Sequence, residues 1–215
     1  MKLPEPPLLV ITDRRQARGP LPDIIRAACR AGCRWFSIRE KDLSPAEQIA
    51  LARQLLAIVR SFGARLTLHG EPRIAEVAGL DGVHLAGGSD ATDARAALGP
   101  ERLVGISVHS AADAAKLDVG LVDYAIAGPA YETESKPGYG PELGAERIGE
   151  IVAAAPVPVL AIGGIRSDKI GDLARANVAG IAVMGSIMRA DAPADEVKGI
   201  IATLKQTRSS RCAEA

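Results

Sequence analysis

The sequence is poor in aromatic residues and carries no net charge. Its 215 residues include two Phe, three Tyr and one Trp, and its 26 Lys and Arg residues balance 26 Asp and Glu residues. Rings are too few for the stacking platforms that hold single-stranded nucleic acid. A balanced charge also gives no overall field to attract nucleic acid or an anionic membrane. We therefore expect no nucleic-acid partner, and a small polar ligand bound at a local site.

Long apolar runs and paired cysteines are also absent. No run reaches the roughly 18 apolar residues that a membrane span needs, and Met1–Pro7 lacks the apolar centre of a signal peptide. We expect a cytoplasmic protein with no membrane association. The cysteines Cys29, Cys33 and Cys212 form neither a redox CxxC pair nor a zinc motif. We expect them to be packing residues.

Eight short β-rich runs alternate with Ala- and Leu-rich helical stretches along the chain. Their spacing, mostly ~20 to 30 residues, is typical of βα units around a parallel sheet. A doubly wound open sheet is the competing architecture, but it would carry a glycine-rich turn where Asp13–Gln16 follow the first run. We predict an α/β fold, a single (β/α)8 TIM barrel over residues 1–207. The predicted strands are Leu8–Thr12, Trp35–Arg39, Leu66–His69, Gly82–Leu85, Leu103–Ser107, Tyr124–Ala127, Val159–Ile162 and Gly180–Met184.

Helix starts and the chain end can be read from local signals. Ser44 followed by Pro45 and Glu47 predicts an N-cap and the first turn of a helix that runs to about Phe62. Ser167–Lys169 predicts another helix start. Residues 208–215 have neither apolar periodicity nor a cap, and we expect a flexible C-terminal tail there.

The predicted fifth strand runs directly into a serine, a histidine and a second serine, Ser107, His109 and Ser110. In this barrel the active site lies at the carboxyl ends of the strands, and histidine is suited to proton transfer near neutral pH. His109 is therefore the first candidate for catalysis. His69, which ends the third strand, is the second, whereas His84 lies between apolar residues and is predicted to be structural.

Glycines cluster after the last two strands. Gly163 and Gly164 follow the seventh, and Gly185 and Ser186 follow the eighth. Loops at these two places often hold phosphate in such barrels, because glycine lets backbone N–H groups approach an anion. We predict a phosphate site. Tight turns that need glycine for steric reasons alone are the alternative.

Further polar residues at strand ends are candidate substrate ligands. Arg39 and Lys41 would share a face if the second strand extended that far, and two cations suit a carboxylate or phosphate. A solvated strand end is the alternative. The long polar loop after the sixth strand predicts a binding role. The candidates are Arg39, Lys41, Ser107, Thr133, Ser135 and Lys136.

Together these motifs resemble the thiamine phosphate synthase superfamily, in order and over almost the whole chain. The resemblance implies an (α/β)8 barrel that binds a thiazole phosphate, and a homodimer. It rests on Ile11-Thr12-Asp13, Ile38-Arg39-Glu40-Lys41, Gly82-Val83-His84-Leu85, Gly105-Ile106-Ser107-Val108-His109-Ser110, Asp123-Tyr124, Gly128-Pro129, Thr133-Glu134-Ser135-Lys136, Ala161-Ile162-Gly163-Gly164-Ile165 and Gly180-Ile181-Ala182-Val183-Met184.

Two activities share that scaffold, and the chain departs from one of them. The synthase joins a pyrimidine diphosphate to the thiazole phosphate, with Mg²⁺ held by aspartates after the third and fourth strands. His69-Gly70 stands where that family has an Asn-Asp pair, and Ser89 stands where it has the second aspartate, unless Asp90 takes its place. Ser37 replaces the glutamine that synthases carry two places before Arg39. Mg²⁺ requires hard oxygen ligands, so these replacements argue against the synthase reaction.

The TenI-type thiazole tautomerase branch fits better, through its Ser-Val-His-Ser pattern. The resemblance then implies isomerisation of a carboxylated thiazole phosphate to its aromatic form by a proton shift, with no metal or other cofactor and with His109 at the family's catalytic position. His69 is predicted to assist it. Arg39, Lys41 or Lys136 would meet the substrate carboxylate. Two alternatives remain open, a synthase with Mg²⁺ held by Asp90 and Asp13 or by substrate phosphates, and a non-catalytic binder of thiazole or thiamine phosphate.

Overall fold

Eight short strands pair in parallel, each with the next along the chain, and the last pairs with the first to close a barrel. The computed structural model describes residues 3–133 and 141–214, with residues 210–214 as backbone only. The predicted (β/α)8 barrel is confirmed, and each strand bound lies within one residue of its prediction. The strands are β1 (Leu8–Ile11), β2 (Trp35–Ile38), β3 (Arg65–His69), β4 (Gly82–Leu85), β5 (Leu103–Val108), β6 (Tyr124–Ala127), β7 (Val159–Ile162) and β8 (Gly180–Val183).

Helices follow the strands and pack outside them. The described helices are α1 (Leu21–Arg30), α2 (Pro45–Arg60), α3 (Pro72–Ala78), α4 (Thr92–Leu98), α5 (Ala111–Ala114), α6 (Gly144–Ala154), α7 (Ile170–Arg175), α8 (Gly185–Met188) and α9 (Pro193–Glu214). Within the described ranges, none of these helices combines the length and the apolar character that crossing a membrane requires.

The predicted helix starts are found with one difference. Ser44 caps α2 in a capping box, in which the Glu47 carboxylate accepts from the Ser44 N–H at 2.8 Å and the Ser44 hydroxyl accepts from the Glu47 N–H. Ser167–Lys169 forms a 3₁₀ turn that leads into α7, but no side chain caps it. Cys29 and Cys33 are buried, as expected, and burial raises the pKa of their thiols to about 11 and about 12.

The chain end belongs to the last helix. The backbone of α9 is helical to Glu214, and the flexibility expected for residues 208–215 stays a prediction. The Arg208 guanidinium binds the Glu5 carboxylate at 2.9 Å, and the Thr207 hydroxyl donates to the Thr203 carbonyl at 3.1 Å. One contact with the distant N-terminal segment thus lies where the periodic pattern of the sequence ends.

Large side chains fill the barrel interior near the amino ends of the strands and leave the end at the carboxyl ends open. Trp35 and Tyr124 are fully buried there, with their rings edge to face at 4.8 Å between centroids. Gly105 makes room for Tyr124, because a Cβ at Gly105 would lie 2.1 Å from the phenol ring. Successive inward positions along a strand are two residues apart. The residues at the carboxyl ends therefore lie directly above this packed floor.

Candidate functional site

A cavity of about 370 Å³ opens at the carboxyl ends of the strands. Every sequence-predicted site residue that the structure describes lines it, so residues that follow or end several different strands meet at one place. Ser135 and Lys136 lie outside the described residues. The predicted residues that line the cavity are Arg39, Lys41, His69, Ser107, His109, Thr133, Gly163, Gly164, Gly185 and Ser186.

His109 stands at the exposed rim of the cavity, just after β5 ends. Its Nδ1 lies 2.8 Å from the carbonyl oxygen of Gly128, after β6. A carbonyl oxygen only accepts, so Nδ1 carries the proton in this bond. When the ring is neutral, Nε2 is then the proton acceptor. The ring lies over Gly87, where an added Cβ would come within 3.6 Å of Nε2.

The cavity floor is built from two histidines and a serine. His84 Nε2 lies 2.9 Å from the Ser107 hydroxyl, and the His69 and His84 rings are tilted against each other at 4.7 Å. His84 is buried, and burial, followed by the neighbouring His69 and Lys41, holds the pKa of its imidazole well below its usual range. The sequence predicted a structural role for His84; the ring also belongs to the cavity wall.

Arg39 and Lys41 reach the cavity although β2 ends before them, at Ile38. Glu40, between them, is buried and accepts hydrogen bonds from the Thr12 hydroxyl at 2.7 Å and from the Arg14 backbone N–H at 3.1 Å. This anchor sets the direction of the two cations in place of a longer strand. Burial raises the pKa of the Glu40 carboxyl, and burial followed by Arg39 lowers the pKa of Lys41.

Gly163 and Gly164 are required by the backbone, whatever ligand they hold. Both have positive φ, +103° and +59°. A Cβ at Gly164 would lie 2.1 Å from the Glu132 carbonyl oxygen, and one at Gly163 would lie 2.9 Å from Pro129. The loop after β6 therefore packs directly on the loop after β7. The steric alternative accounts for both glycines, and the predicted phosphate contact stays a prediction.

Gly185 begins α8, with one residue between it and the end of β8, and Ser186 lies beside it at the cavity. Arg189 lies one turn further and also lines the cavity, and its guanidinium bonds to the Gln16 side-chain amide. Arg166, after β7, lines it too. Neither arginine was among the residues predicted from the sequence. Their positions one turn after Gly185 and directly after the Gly-Gly-Ile segment were signals that could have revealed them.

Positive charge dominates the described part of the cavity wall. Four cations line it, whereas Glu132 is the one carboxylate among the described lining residues. Such a wall suits a ligand with two anionic groups, because guanidinium and ammonium groups bind phosphate and carboxylate strongly. The cations are Arg39, Lys41, Arg166 and Arg189.

The two aspartates considered as Mg²⁺ ligands, Asp13 and Asp90, do not reach the cavity. Asp90 accepts from the Thr92 backbone N–H at 2.8 Å and Asp13 accepts from the Arg15 N–H at 3.1 Å, so both stabilise local turns. Neither lines the cavity. The described residues contain no group of three acidic, histidine or cysteine side chains arranged to hold a metal ion. Hard oxygen donors are what Mg²⁺ needs, so the described residues do not fit it.

Ser110, the second serine of the motif around His109, has a structural role. Its hydroxyl accepts from the Asp113 backbone N–H at 3.1 Å and caps α5. It is absent from the cavity wall. The sequence pattern alone does not distinguish this capping serine from Ser107, which lines the cavity.

Comparison with known proteins decides the family. The family model TMP-TENI, described as thiamine monophosphate synthase, matches residues 8–187. This chain belongs to that family. A putative thiamine-phosphate synthase of Geobacter sulfurreducens is 36% identical over 92% of this chain and 93% of its own length. A thiamine-phosphate synthase of Chlorobium luteolum is 36% identical over 97% of this chain and 98% of its own.

A solved structure agrees with the family assignment. The thiamine phosphate pyrophosphorylase from Pyrococcus furiosus has a TM-score of 0.82 and 26% identity over 93% of this chain and 96% of that one. The predicted superfamily is thus confirmed, and this chain stands among enzymes of thiamine biosynthesis. The tautomerase branch is not distinguished, since these relatives carry the name of the synthase or pyrophosphorylase.

Proposed function

We propose that this chain is a thiazole tautomerase, which converts a carboxylated thiazole phosphate to its aromatic tautomer. The observation that carries the proposal is the position of the His109 imidazole, which the Gly128 carbonyl holds at the mouth of the cavity. In the neutral ring, Nε2 is the atom that can accept a proton. Tautomerisation moves one proton between two positions of the same ring, so one positioned acid/base can accept it and return it. Such groups typically contribute about 10²- to 10⁴-fold in rate.

The cavity wall supports a doubly anionic substrate of this kind. We assign the phosphate to the loops of Gly163–Gly164 and Gly185–Ser186, and the carboxylate to Arg39, Lys41 or Lys136. The cations of the described wall support that assignment through their charge. His69, on the cavity floor, assists His109 in this proposal.

Thiamine phosphate synthase is the second candidate, and the names of the relatives favour it over the tautomerase. Its leaving pyrophosphate is stabilised by Mg²⁺. The titratable and charged side chains of the described wall, three histidines, four cations and one carboxylate, do not fit that ion. This composition is our reason for placing the tautomerase first.

Turnover of the purified protein in two parallel assays tests the choice. One assay supplies the carboxylated thiazole phosphate tautomer, with and without EDTA. The other supplies thiazole phosphate, pyrimidine diphosphate and Mg²⁺, also with and without EDTA. We expect EDTA-resistant aromatisation in the first, lost in His109→Ala and retained in Ser110→Ala, a matched change on the same loop outside the cavity wall.

The other outcomes each overturn the proposal. Thiamine phosphate formation that EDTA abolishes would establish the synthase in its place. Binding of thiazole phosphate without turnover in either assay would indicate a non-catalytic binder instead of an enzyme.

The homodimer implied by the resemblance is a separate proposal, which light scattering of the same preparation tests.

A further inference from the structure

The buried histidine His84 has a hydrogen bond that the proposed proton transfer at His109 does not use. Its Nε2 lies 2.9 Å from the Ser107 hydroxyl, and its Nδ1 is buried with no hydrogen-bond partner among the described residues. Ser107 lies on β5 two residues before His109, so both side chains face the cavity. The tautomer of His84 therefore bears on the site.

Burial decides the charge of His84. The side chains that face it are those of His69 from β3, Ser107 from β5, Tyr124 from β6 and Lys41 after β2. None of these groups is a carboxylate. An imidazolium there would be a buried charge without a counter-ion, which is strongly unfavourable. The ring is therefore neutral, with one N–H and one lone pair.

The hydrogen-bond partners decide which nitrogen carries the proton. If Nδ1 carried it, a buried N–H would have no acceptor, and unpaired buried donors are rarer in proteins than unpaired acceptors. With the proton on Nε2, the N–H donates to the Ser107 oxygen. That bond uses a lone pair of Ser107 and leaves its own hydroxyl hydrogen to point into the cavity.

We propose that His84 is a positioning residue, which donates from Nε2 to Ser107 and so makes the Ser107 hydroxyl a donor to the substrate. His109 has the opposite tautomer, protonated at Nδ1 by its bond to the Gly128 carbonyl. The carboxyl end of β5 and the residue after it then present a donor and an acceptor side by side. The group that meets Ser107 is a hydrogen-bond acceptor, such as a carboxylate oxygen or a ring nitrogen. The use of this pair on a thiazole rests on the proposed function, whereas the tautomers do not.

The tautomers can be observed directly in the substrate-free protein. The chain has three histidines, so a long-range ¹H–¹⁵N spectrum of ¹⁵N-histidine-labelled protein contains three imidazole patterns. His69→Asn and His109→Asn assign them by removing one pattern each. We expect His84 to show an Nε2–H pattern that is unchanged from about pH 5 to 8, and neutral His109 to show Nδ1–H. An Nδ1–H or doubly protonated His84 would overturn the proposal, whatever reaction the protein catalyses.

A double-mutant cycle tests whether His84 acts through Ser107. His84→Met removes the donor, and His84→Gln restores an amide N–H near the position of Nε2. We expect kcat to fall about ten-fold in His84→Met with little change in KM, and to recover in His84→Gln, because one neutral hydrogen bond is lost and regained. In a Ser107→Ala background, His84→Met should cause no further loss.

Additive losses in that cycle would mean that His84 acts through something other than Ser107, and would overturn the proposal. The urea unfolding midpoint of each variant shows whether a loss comes from misfolding. If His84→Met fails to fold, the effect of His84→Gln is compared with and without Ser107→Ala, and this comparison and the tautomer spectrum still decide the matter. Absence of tautomerase activity in the wild type would contradict the proposed function and leave the spectrum to judge His84.

Discussion

His109 donates from Nδ1 to the carbonyl oxygen of Gly128 at 2.8 Å, and this bond ties the end of β5 to the end of β6. The imidazole is thereby fixed by a backbone carbonyl group, and this group does not itself gain or lose a proton. The bond determines the tautomer of the ring and leaves Nε2 as the atom able to exchange a proton with a ligand.

Replacement of His109 tests that arrangement. We expect His109→Ala to lower the tautomerase rate by about 10²- to 10⁴-fold, because the group that carries the proton is removed. Initial rates over a range of substrate concentrations measure the effect, which should lie in kcat more than in KM. A folded His109→Ala protein with the wild-type rate would contradict the role.

Replacement of Gly164 by alanine tests the contact between the loops after β6 and β7. In Gly164→Ala the new Cβ would meet the Glu132 carbonyl oxygen at 2.1 Å, so the cavity wall must move, and we expect weaker binding of thiazole phosphate. Gly63→Ala is the matched control, because its φ of +63° resembles the +59° of Gly164 but nothing lies within 4 Å of its Cβ. Both variants bear the backbone cost, about 1–3 kcal/mol.

Calorimetric binding and urea unfolding of the two variants distinguish the cost of backbone strain, which both share, from the effect of a displaced cavity wall. Only Gly164→Ala should lose affinity for the ligand. Equal affinities in the two variants would show that the loop contact does not shape the site.

Replacement of Gly105 by alanine tests the side-chain packing beneath the cavity. A Cβ at Gly105 would lie 2.1 Å from the Tyr124 ring, and we expect Gly105→Ala to lower the free energy of unfolding by about 1–3 kcal/mol or more through overpacking. Gly199→Ala, in α9 with nothing within 4 Å, should instead raise it by up to about 1 kcal/mol. Urea unfolding measures both. The double variant Gly105→Ala/Tyr124→Leu should be less destabilised than the sum of its single changes.

The burial of the Glu40 carboxyl leads us to predict that the free energy of unfolding depends on pH. Burial raises the pKa of its carboxyl above the ordinary value of 4.5, so the folded state binds more protons than the unfolded state in the range between the two values. The contribution of Glu40 to stability is therefore fully present below about pH 4.5 and is lost as the pH rises through the folded pKa. Relative to Glu40→Gln, the wild type should lose stability as the pH rises above about 4.5.

Urea midpoints of wild type and Glu40→Gln at several pH values give that difference, because most other groups titrate alike in both proteins. A wild type that gains relative stability as the pH rises would show that the bonds from Thr12 and Arg14 outweigh burial.

Local patterns were enough to predict the barrel and most of its strand bounds. Short apolar runs and their spacing specify strands and crossovers, and parallel strands must gather their carboxyl ends at one mouth. His109, Arg39 and Gly185 could therefore be placed together before any coordinates. The capping box at Ser44 is equally local, since all its partners lie within the first turn of α2.

By itself the sequence determined the fold and the place of the barrel mouth, because these depend on residue types at fixed spacings. Only the tertiary structure decided that His84 bonds Ser107, that Glu40 anchors Arg39 and Lys41, that Ser110 is a helix cap, and that α9 continues past residue 207. These results depend on contacts between residues far apart in the chain or on the direction of a single side chain. Neither residue type nor periodicity carries that information.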